Sequence, residues 1–174
     1  PHLHPIFGNI SQNCKLFSFA DPGTSTAYEF NDGKIMLAQM GELNSTGWKD
    51  VKAKIGLDTI VDLYTESDLV CLLNWSEIAA STNIWKGILK DVLSKYSHTK
   101  KQTAFFDLAD CSKRSSESIT EALELLRQFA KHARVILSLN KNETDIIYHL
   151  LYRKKSKNDL FATGKEIIGR LSID

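Results

Sequence analysis

Three apolar runs of the sequence end in a residue whose side chain offers oxygen to a metal ion or a ligand. The run LVCLLN ends at Asn74, TAFFD ends at Asp107 and VILSLN ends at Asn140. The polar segments that begin there, NWSE, DLADCSKR and NKNE, include the acids Asp110 and Glu143 and the bases Lys113 and Arg114. Acidic side chains bind Mg²⁺ through oxygen or water, and basic side chains bind phosphate. These residue types therefore predict a site for Mg²⁺ and a phosphorylated ligand.

The spacing of the three runs predicts a repeated βα unit. Asn74 and Asp107 are 33 residues apart, Asp107 and Asn140 are again 33 apart, and Asn140 and Asp174 are 34 apart. Runs that are apolar throughout, without alternation, are typical of strands in the middle of a parallel sheet. Parallel strands connected in this way point in the same direction, so their ends should meet at the carboxyl edge, where open α/β proteins bind ligands.

Helical periodicity fills the intervals between these runs. One apolar stripe extends from Ile84 to Tyr96 and a second from Ile119 to Ala133. A shorter helix is predicted from Thr144 to Tyr152, and a fourth runs roughly from Leu160 to Leu171. Strands that alternate with helices predict an α/β fold, a three-layer Rossmann-like parallel sheet with helices on both faces.

The amino-terminal part has a different pattern. Three short β-like runs, KLFSFA, TSTAYEF and KIMLA, are separated by the turn signals DPG and NDG. This pattern predicts a small antiparallel β-meander. We therefore divide the chain into residues 1–45, the meander, and residues 46–174, the βα repeats.

Ordinary structural roles would also explain these polar residues one by one. Asn140 followed by Glu143 is typical of a helix N-cap with a capping box, which contributes about 1 kcal/mol without any ligand. Asp107 would then be a turn residue, Arg114 a solvated cation at the surface and Trp75 an aromatic residue of the core. A shared site is favoured because three acids fall on the same predicted edge. A carboxylate in the first turn of a helix would repel a bare phosphate, but not one that is bridged by Mg²⁺.

Composition limits the class of partner. The chain has 174 residues, with 22 basic and 21 acidic side chains and a net charge of +1. Without a concentrated basic face, neither nucleic acid nor a membrane surface is expected as the main partner. Three cysteines without CxxC spacing indicate a reducing compartment, and neither a signal peptide nor a membrane-length apolar run is present, so we expect the cytoplasm.

The order of these elements resembles a known family. FFDLADCSKR, then a helix, then VILSLNKNET is similar to the middle of PfkB or ribokinase-like carbohydrate kinases. In that family a strand ending in Asp is followed one βα unit later by an N-x-x-E motif. Here that motif is Asn140-Lys141-Asn142-Glu143. TAYEFNDGKIML and DLVCLLNWSEI are also similar to the family and to its ADP-dependent relatives, so the resemblance covers about residues 15–174.

The resemblance implies phosphoryl transfer from ATP, or less commonly ADP, to a sugar hydroxyl, with sugar and nucleotide as partners and Mg²⁺ as cofactor. It implies a ribokinase-like fold in which residues 1–45 belong to a lid on the sugar side. Lid strands of this family often pair between subunits, which suggests a homodimer. The resemblance implies that four residues organise Mg²⁺ and phosphate, with Glu143 as the metal ligand: Asn140, Glu143, Asp107 and Asp110. It implies that Lys113 and Arg114 bind phosphate. Asn74 and Trp75 would lie on the substrate side.

Two features of the family are absent from this sequence. Its catalytic base lies in a Gly-Ala-Gly-Asp type motif, and no G-x-G-D occurs here; the amino-terminal Gly-Gly segment is missing too. The sequence also begins at Pro1 without a methionine. We therefore expect an incomplete middle portion of a kinase that lacks the carboxyl-terminal catalytic part and is inactive by itself.

Two other functions remain open from the sequence. The first is a non-catalytic α/β domain that binds a small ligand or regulates a partner, with the three polar strand ends serving as helix caps. The second is part of a Rossmann-type oxidoreductase, which the absence of a G-x-G-x-x-G motif disfavours.

Overall fold

The computed structural model of the chain describes residues 14–95 and 102–173. These residues include five β-strands: β1 (Thr24–Phe30), β2 (Gly33–Gln39), β3 (Leu69–Leu72), β4 (Thr103–Asp107) and β5 (Arg134–Ser138). Their α-helices are α1 (Trp48–Ile55), α2 (Leu57–Glu66), α3 (Ser81–Ile88), α4 (Ser116–Phe129), α5 (Lys141–Tyr152) and α6 (Leu160–Leu171). Short 3-10 turns cover Gly41–Asn44 and Cys111–Lys113, and a π-helical turn, Leu89–Leu93, continues α3.

Strands β3, β4 and β5 form the predicted parallel sheet. Their order is β3-β4-β5, with Leu72 paired to Phe106 and Phe106 paired to Leu137. The α/β fold, with a parallel sheet flanked by helices and a separate small antiparallel sheet, is therefore confirmed. Within the described residues only β4 has a strand on each side, because β3 and β5 lie at the edges. The expectation that all three runs lie in the middle of a sheet was correct for β4 alone in this part of the chain.

The two faces of the parallel sheet differ in burial. Ala104, Phe106 and Val135 lie in register on one face and are buried. On the other face Phe105 is only partly buried and Cys71 is exposed. Phe106 forms edge-on contacts with the rings of Trp85 and Phe129, each with ring centroids 5.0 Å apart. The core thus lies between one sheet face and the helices α3 and α4.

The amino-terminal meander is a two-stranded hairpin. β1 and β2 pair antiparallel, from Thr24 with Gln39 to Phe30 with Gly33. The run KLFSFA, residues 15–20, forms no strand, which corrects the prediction of three. Among the described residues this run pairs with no strand, and its Phe19 packs partly buried against the core instead.

Several helices begin or end at other residues than predicted. α5 begins at Lys141, before the predicted Thr144, because a capping box fixes its start. α4 ends at Phe129, although Ala133, four residues later, is still buried. α6 has the predicted bounds, whereas Tyr96, the end of the first stripe, and Asp174 lie outside the described residues. α1 and α2 were not predicted.

None of the helices in residues 14–95 and 102–173 is long and apolar enough to cross a membrane.

Candidate functional site

The N-terminus of α5 is built from a reciprocal pair, Asn140 and Glu143. The side-chain oxygen of Asn140 accepts the backbone N–H of Glu143 at 3.0 Å. In return the Glu143 carboxylate accepts the backbone N–H of Asn140 at 2.9 Å and its amide Nδ2 at 2.6 Å. Asn140 thus caps the helix, and the capping box allowed for by the sequence is present.

Glu143 is an acid in an unfavourable position for its charge. The residue is only 4% exposed, and no ion pair within the described residues involves it. Burial raises its pKa above the ordinary value, and the negative charges of Asp107 and Asp110 add to this, although the hydrogen bond from Asn140 opposes it. The three acids predicted to lie on one edge therefore interact electrostatically, and a cation between them would stabilise the charged form of Glu143.

Asp107 and Asp110 shape the turn that follows β4. The Oδ1 atom of Asp107 accepts the N–H of Ala109 at 2.9 Å, and Ala109 has a positive φ of 55°. Asp110 accepts the N–H of Ser112 at 3.0 Å and its hydroxyl at 2.6 Å, and these bonds lower its pKa. Both acids thus act as turn residues here, while the charge of each is still felt at Glu143.

Cys111, which sequence reasoning did not select, is influenced by the charges of all three acids. It is fully buried, and burial together with the charges of Glu143, Asp110 and Asp107 raises the pKa of its thiol to about 12. The thiol is therefore neutral and unreactive at physiological pH. Its position after two acids was the only signal in the sequence, and that signal does not distinguish it from a loop cysteine.

The two bases after β4 have different surroundings. Lys113 is half-exposed and forms an ion pair with Glu77 at 2.5 Å, which raises its pKa. Arg114 directs its guanidinium to the loop after β3, where it donates to three backbone carbonyl oxygens. Of these two bases Lys113 is therefore the exposed cation, and Arg114 is partly buried.

The residues predicted for the substrate side lie in that loop. Asn74 is exposed, with a positive φ of 59°. Trp75 is 0% exposed, its indole N–H donates to Thr82 at 2.9 Å, and the guanidinium of Arg114 lies 5.0 Å from its ring centroid. In this conformation Asn74 is accessible to a ligand and Trp75 is not.

The structure thus places Asp107 and Asp110 close enough for their charges to act on Glu143. Across residues 14–95 and 102–173 no group of three or more His, Cys, Asp or Glu side chains is arranged to hold a metal ion. The roles predicted for the individual residues stay predictions.

Comparisons with known proteins agree with the order of elements. Residues 1–171 match the model of a protein family described as prokaryotic ketohexokinase. A curated relative, a ketohexokinase of Haloferax volcanii, is 28% identical over 135 residues. This alignment covers 78% of the chain but 36% of the relative, so the chain spans little more than a third of that protein. No solved structure matches the chain.

Proposed function

Because this chain belongs to the prokaryotic ketohexokinase family, we propose that it is part of a kinase that phosphorylates a hydroxyl group of a ketohexose. The donor is ATP, or less commonly ADP, and the reaction takes place in the cytoplasm with Mg²⁺. The chain spans 36% of its curated relative and contains no G-x-G-D motif. The catalytic base therefore belongs to another part of the kinase, and this piece does not turn over substrate by itself.

The observation that carries the proposal is the surroundings of Glu143. The charged form of a carboxylate that is 4% exposed, with two further acids acting on it, costs free energy, and a cation bound nearby would offset that cost. Mg²⁺ fits this donor set. It commonly keeps several waters and binds through one or two carboxylates plus phosphate oxygens, so a cage of three protein ligands is unnecessary. Asn140 occupies only two of the roughly four acceptor positions of the carboxylate.

The residues of the chain have separate tasks in this proposal. Asn140 orients Glu143 and fixes the N-terminus of α5, whose unpaired backbone N–H groups favour a negatively charged ligand. Glu143 would bind the metal, and Asp107 and Asp110 would act on it through their charges and through its waters. Lys113 contacts phosphate after leaving Glu77, and Asn74 faces the sugar. When bound, Mg²⁺ would neutralise phosphate charge during transfer.

The test is isothermal titration of the 174-residue chain with Mg·ATP, Mg·ADP and a panel of ketohexoses. We expect nucleotide binding that requires Mg²⁺ and is at least about tenfold weaker in Glu143→Gln. Glu117→Gln is the matched control, because Glu117 lies in the first turn of α4 but is exposed. Binding that is equal in wild type and Glu143→Gln would refute the role of Glu143. A coupled assay of the full-length protein then tests phosphoryl transfer to each sugar.

The raised pKa of Glu143 gives a pH prediction. Glu143 holds its proton more tightly in the folded state than in the unfolded state, where its pKa is near 4.5. Stability should therefore fall as pH rises from about 4.5 through the raised pKa, and Mg²⁺ should recover the loss above it. Urea unfolding at several pH values, with and without Mg²⁺, measures this. Glu143→Gln should abolish this pH dependence, whereas a dependence that persists in this variant must have another source.

The hairpin supports a further part of the proposal, a homodimer. Tyr28, Ile35 and Leu37 lie on one face of the hairpin and are 52%, 55% and 53% exposed. A second copy that covers this face would remove it from water. Sedimentation of the full-length protein should show a dimer that Leu37→Glu dissociates and that Lys34→Glu, on the opposite face, leaves intact. A wild-type monomer at micromolar concentration would rule this out.

A further inference from the structure

Arg114 joins the loop after β4 to the loop after β3. Its Nε atom donates to the carbonyl oxygen of Ser76 at 3.1 Å. Its Nη2 atom donates to the carbonyl oxygens of Trp75 at 3.0 Å and Ile78 at 2.7 Å. The guanidinium also lies against the buried ring of Trp75. One side chain therefore satisfies three backbone acceptors and covers an aromatic face.

The geometry of these bonds requires a guanidinium. Its planar fork directs several donors at once, whereas a lysine ammonium is a compact, strongly hydrated charge on a flexible stem. Without the fork, at least some of the three carbonyl groups would lose their partner, and an unpaired, partly buried carbonyl is costly. The conformation of residues 75–78 therefore depends on Arg114 and not only on a positive charge there.

The loop held by Arg114 connects several regions of the molecule. The N–H of Trp75 donates to the carbonyl of Asp107 at 3.3 Å, and the N–H of Ser76 donates to that of Leu108 at 3.0 Å. Asn44, which follows the hairpin, accepts the N–H of Ala79 at 3.1 Å. The exposed Asn74 begins this loop. The position of Asn74 relative to Asp107 is thus fixed by a few bonds: three come from the guanidinium of Arg114, which is partly buried, and one is the ion pair of the half-exposed Lys113 with Glu77.

We propose that Arg114 is a positioning residue of the sugar-phosphorylating site and not a phosphate ligand, because it locks the loop that carries Asn74 against the loop that carries Asp107 and Asp110. This inference rests on the proposed function. A phosphate ligand would present its donors to the edge of the sheet, whereas Arg114 directs Nε and Nη2 to carbonyl oxygens of the protein.

The two roles predict different behaviour for Arg114→Lys. A phosphate ligand would be partly replaced by lysine, and the loss would be an increase in KM for the nucleotide alone. If Arg114 is a positioning residue, lysine would not replace it. We then expect kcat of the full-length protein to fall about 10- to 100-fold, since small displacements of reacting groups have effects of that size.

Hydrogen exchange supplies a measurement that does not depend on activity. The backbone N–H groups of Ser76 and Ala79 should exchange at least about tenfold faster in Arg114→Lys, while those in α4 keep their wild-type rates. Arg127→Lys is the matched control, because Arg127 also lies in this region of the chain but only pairs with Glu124 on the surface. Circular dichroism checks that the variants are folded. If Arg114→Lys is not folded, Arg114→Gln is measured in its place.

The outcomes are distinct. A lower kcat together with faster exchange at Ser76 and Ala79 supports the positioning role. Unchanged exchange, with or without a higher nucleotide KM, overturns it. A wild-type protein that phosphorylates no ketohexose would refute the proposed function instead, and this is seen before any variant is made.

Discussion

The parallel sheet and the hairpin expose their apolar side chains to very different extents. In the parallel sheet Phe106 and Val135 are both 0% exposed. In the hairpin Phe30 is 58% exposed and Ile35 is 55% exposed. Both sheets are rich in apolar residues, so composition does not explain the difference.

The connections between the strands explain it. Each pair of neighbouring parallel strands requires a crossover, and here the crossovers include helices that cover one face of the sheet. The strands of the hairpin are joined by Asn31 and Asp32 alone, which bring no cover. A two-stranded hairpin is marginal by itself in water. The stability of the parallel sheet is thus encoded in its own βα units, whereas the hairpin depends on whatever its apolar face contacts.

The largest expected effect is that of Phe106→Ala. It removes a ring that contacts Trp85 and Phe129, and we expect the free energy of unfolding to fall by about 3–5 kcal/mol. Phe30→Ala is the matched change in the hairpin and should cost less than about 0.5 kcal/mol. Urea unfolding measures both. Equal losses would contradict the difference between the two sheets.

A somewhat smaller effect is expected for Gly87→Ala in α3. An added Cβ would lie 2.0 Å from Cγ of Trp48, so the helices α1 and α3 must move apart, at a cost of about 1–3 kcal/mol. Gly169→Ala in α6 has open space and should instead stabilise by about 0.5–1 kcal/mol. Thermal unfolding of the two variants gives the comparison. A neutral Gly87→Ala would mean that the core around Trp48 is loosely packed.

Asn140→Ala tests the edge of the sheet. It removes the cap of α5 and one donor to Glu143, and we expect a loss of about 1–2 kcal/mol. Asn142→Ala, two residues later on the exposed side of the helix, should change stability little. If activity of the full-length protein falls no more than stability explains, Asn140 is a cap and nothing else.

The smallest effect is expected for Ile35→Thr in the hairpin. Threonine keeps a β-branched side chain, and the replaced isoleucine is more than half exposed, so stability should change by less than about 0.5 kcal/mol in the monomer. Chemical denaturation at low protein concentration measures it. A loss above about 1.5 kcal/mol would show that the hairpin already has a buried face within the monomer.

The sequence predicted the βα part of the fold well, because each run and stripe is local. TAFFD coincides with β4, and the predicted span of α6 was correct. α1 and α2 were missed because Gly56, with a positive φ of 89°, separates two short helices before either shows a long stripe.

Residue contacts were harder to predict. The pairing of Asn140 with Glu143 is local, three residues apart, and its capping geometry follows from the motif. The three carbonyl contacts of Arg114 depend on the path of a loop 36 to 39 residues earlier in the chain. No periodicity in the sequence indicates such a path, so the sequence suggested for Arg114 a phosphate-binding residue or a solvated surface cation instead.

The placement of the tryptophans has an optical consequence. Trp48, Trp75 and Trp85 are the three tryptophans of the chain, and all are buried with the helices, whereas the aromatic residues of the hairpin are Tyr28 and Phe30. Intrinsic tryptophan fluorescence therefore reports on the helical core, and a movement of the hairpin alone would leave it almost unchanged. Because Trp75 lies directly beneath Arg114, a shift in its emission would give a spectroscopic signal for rearrangement of the loop after β3.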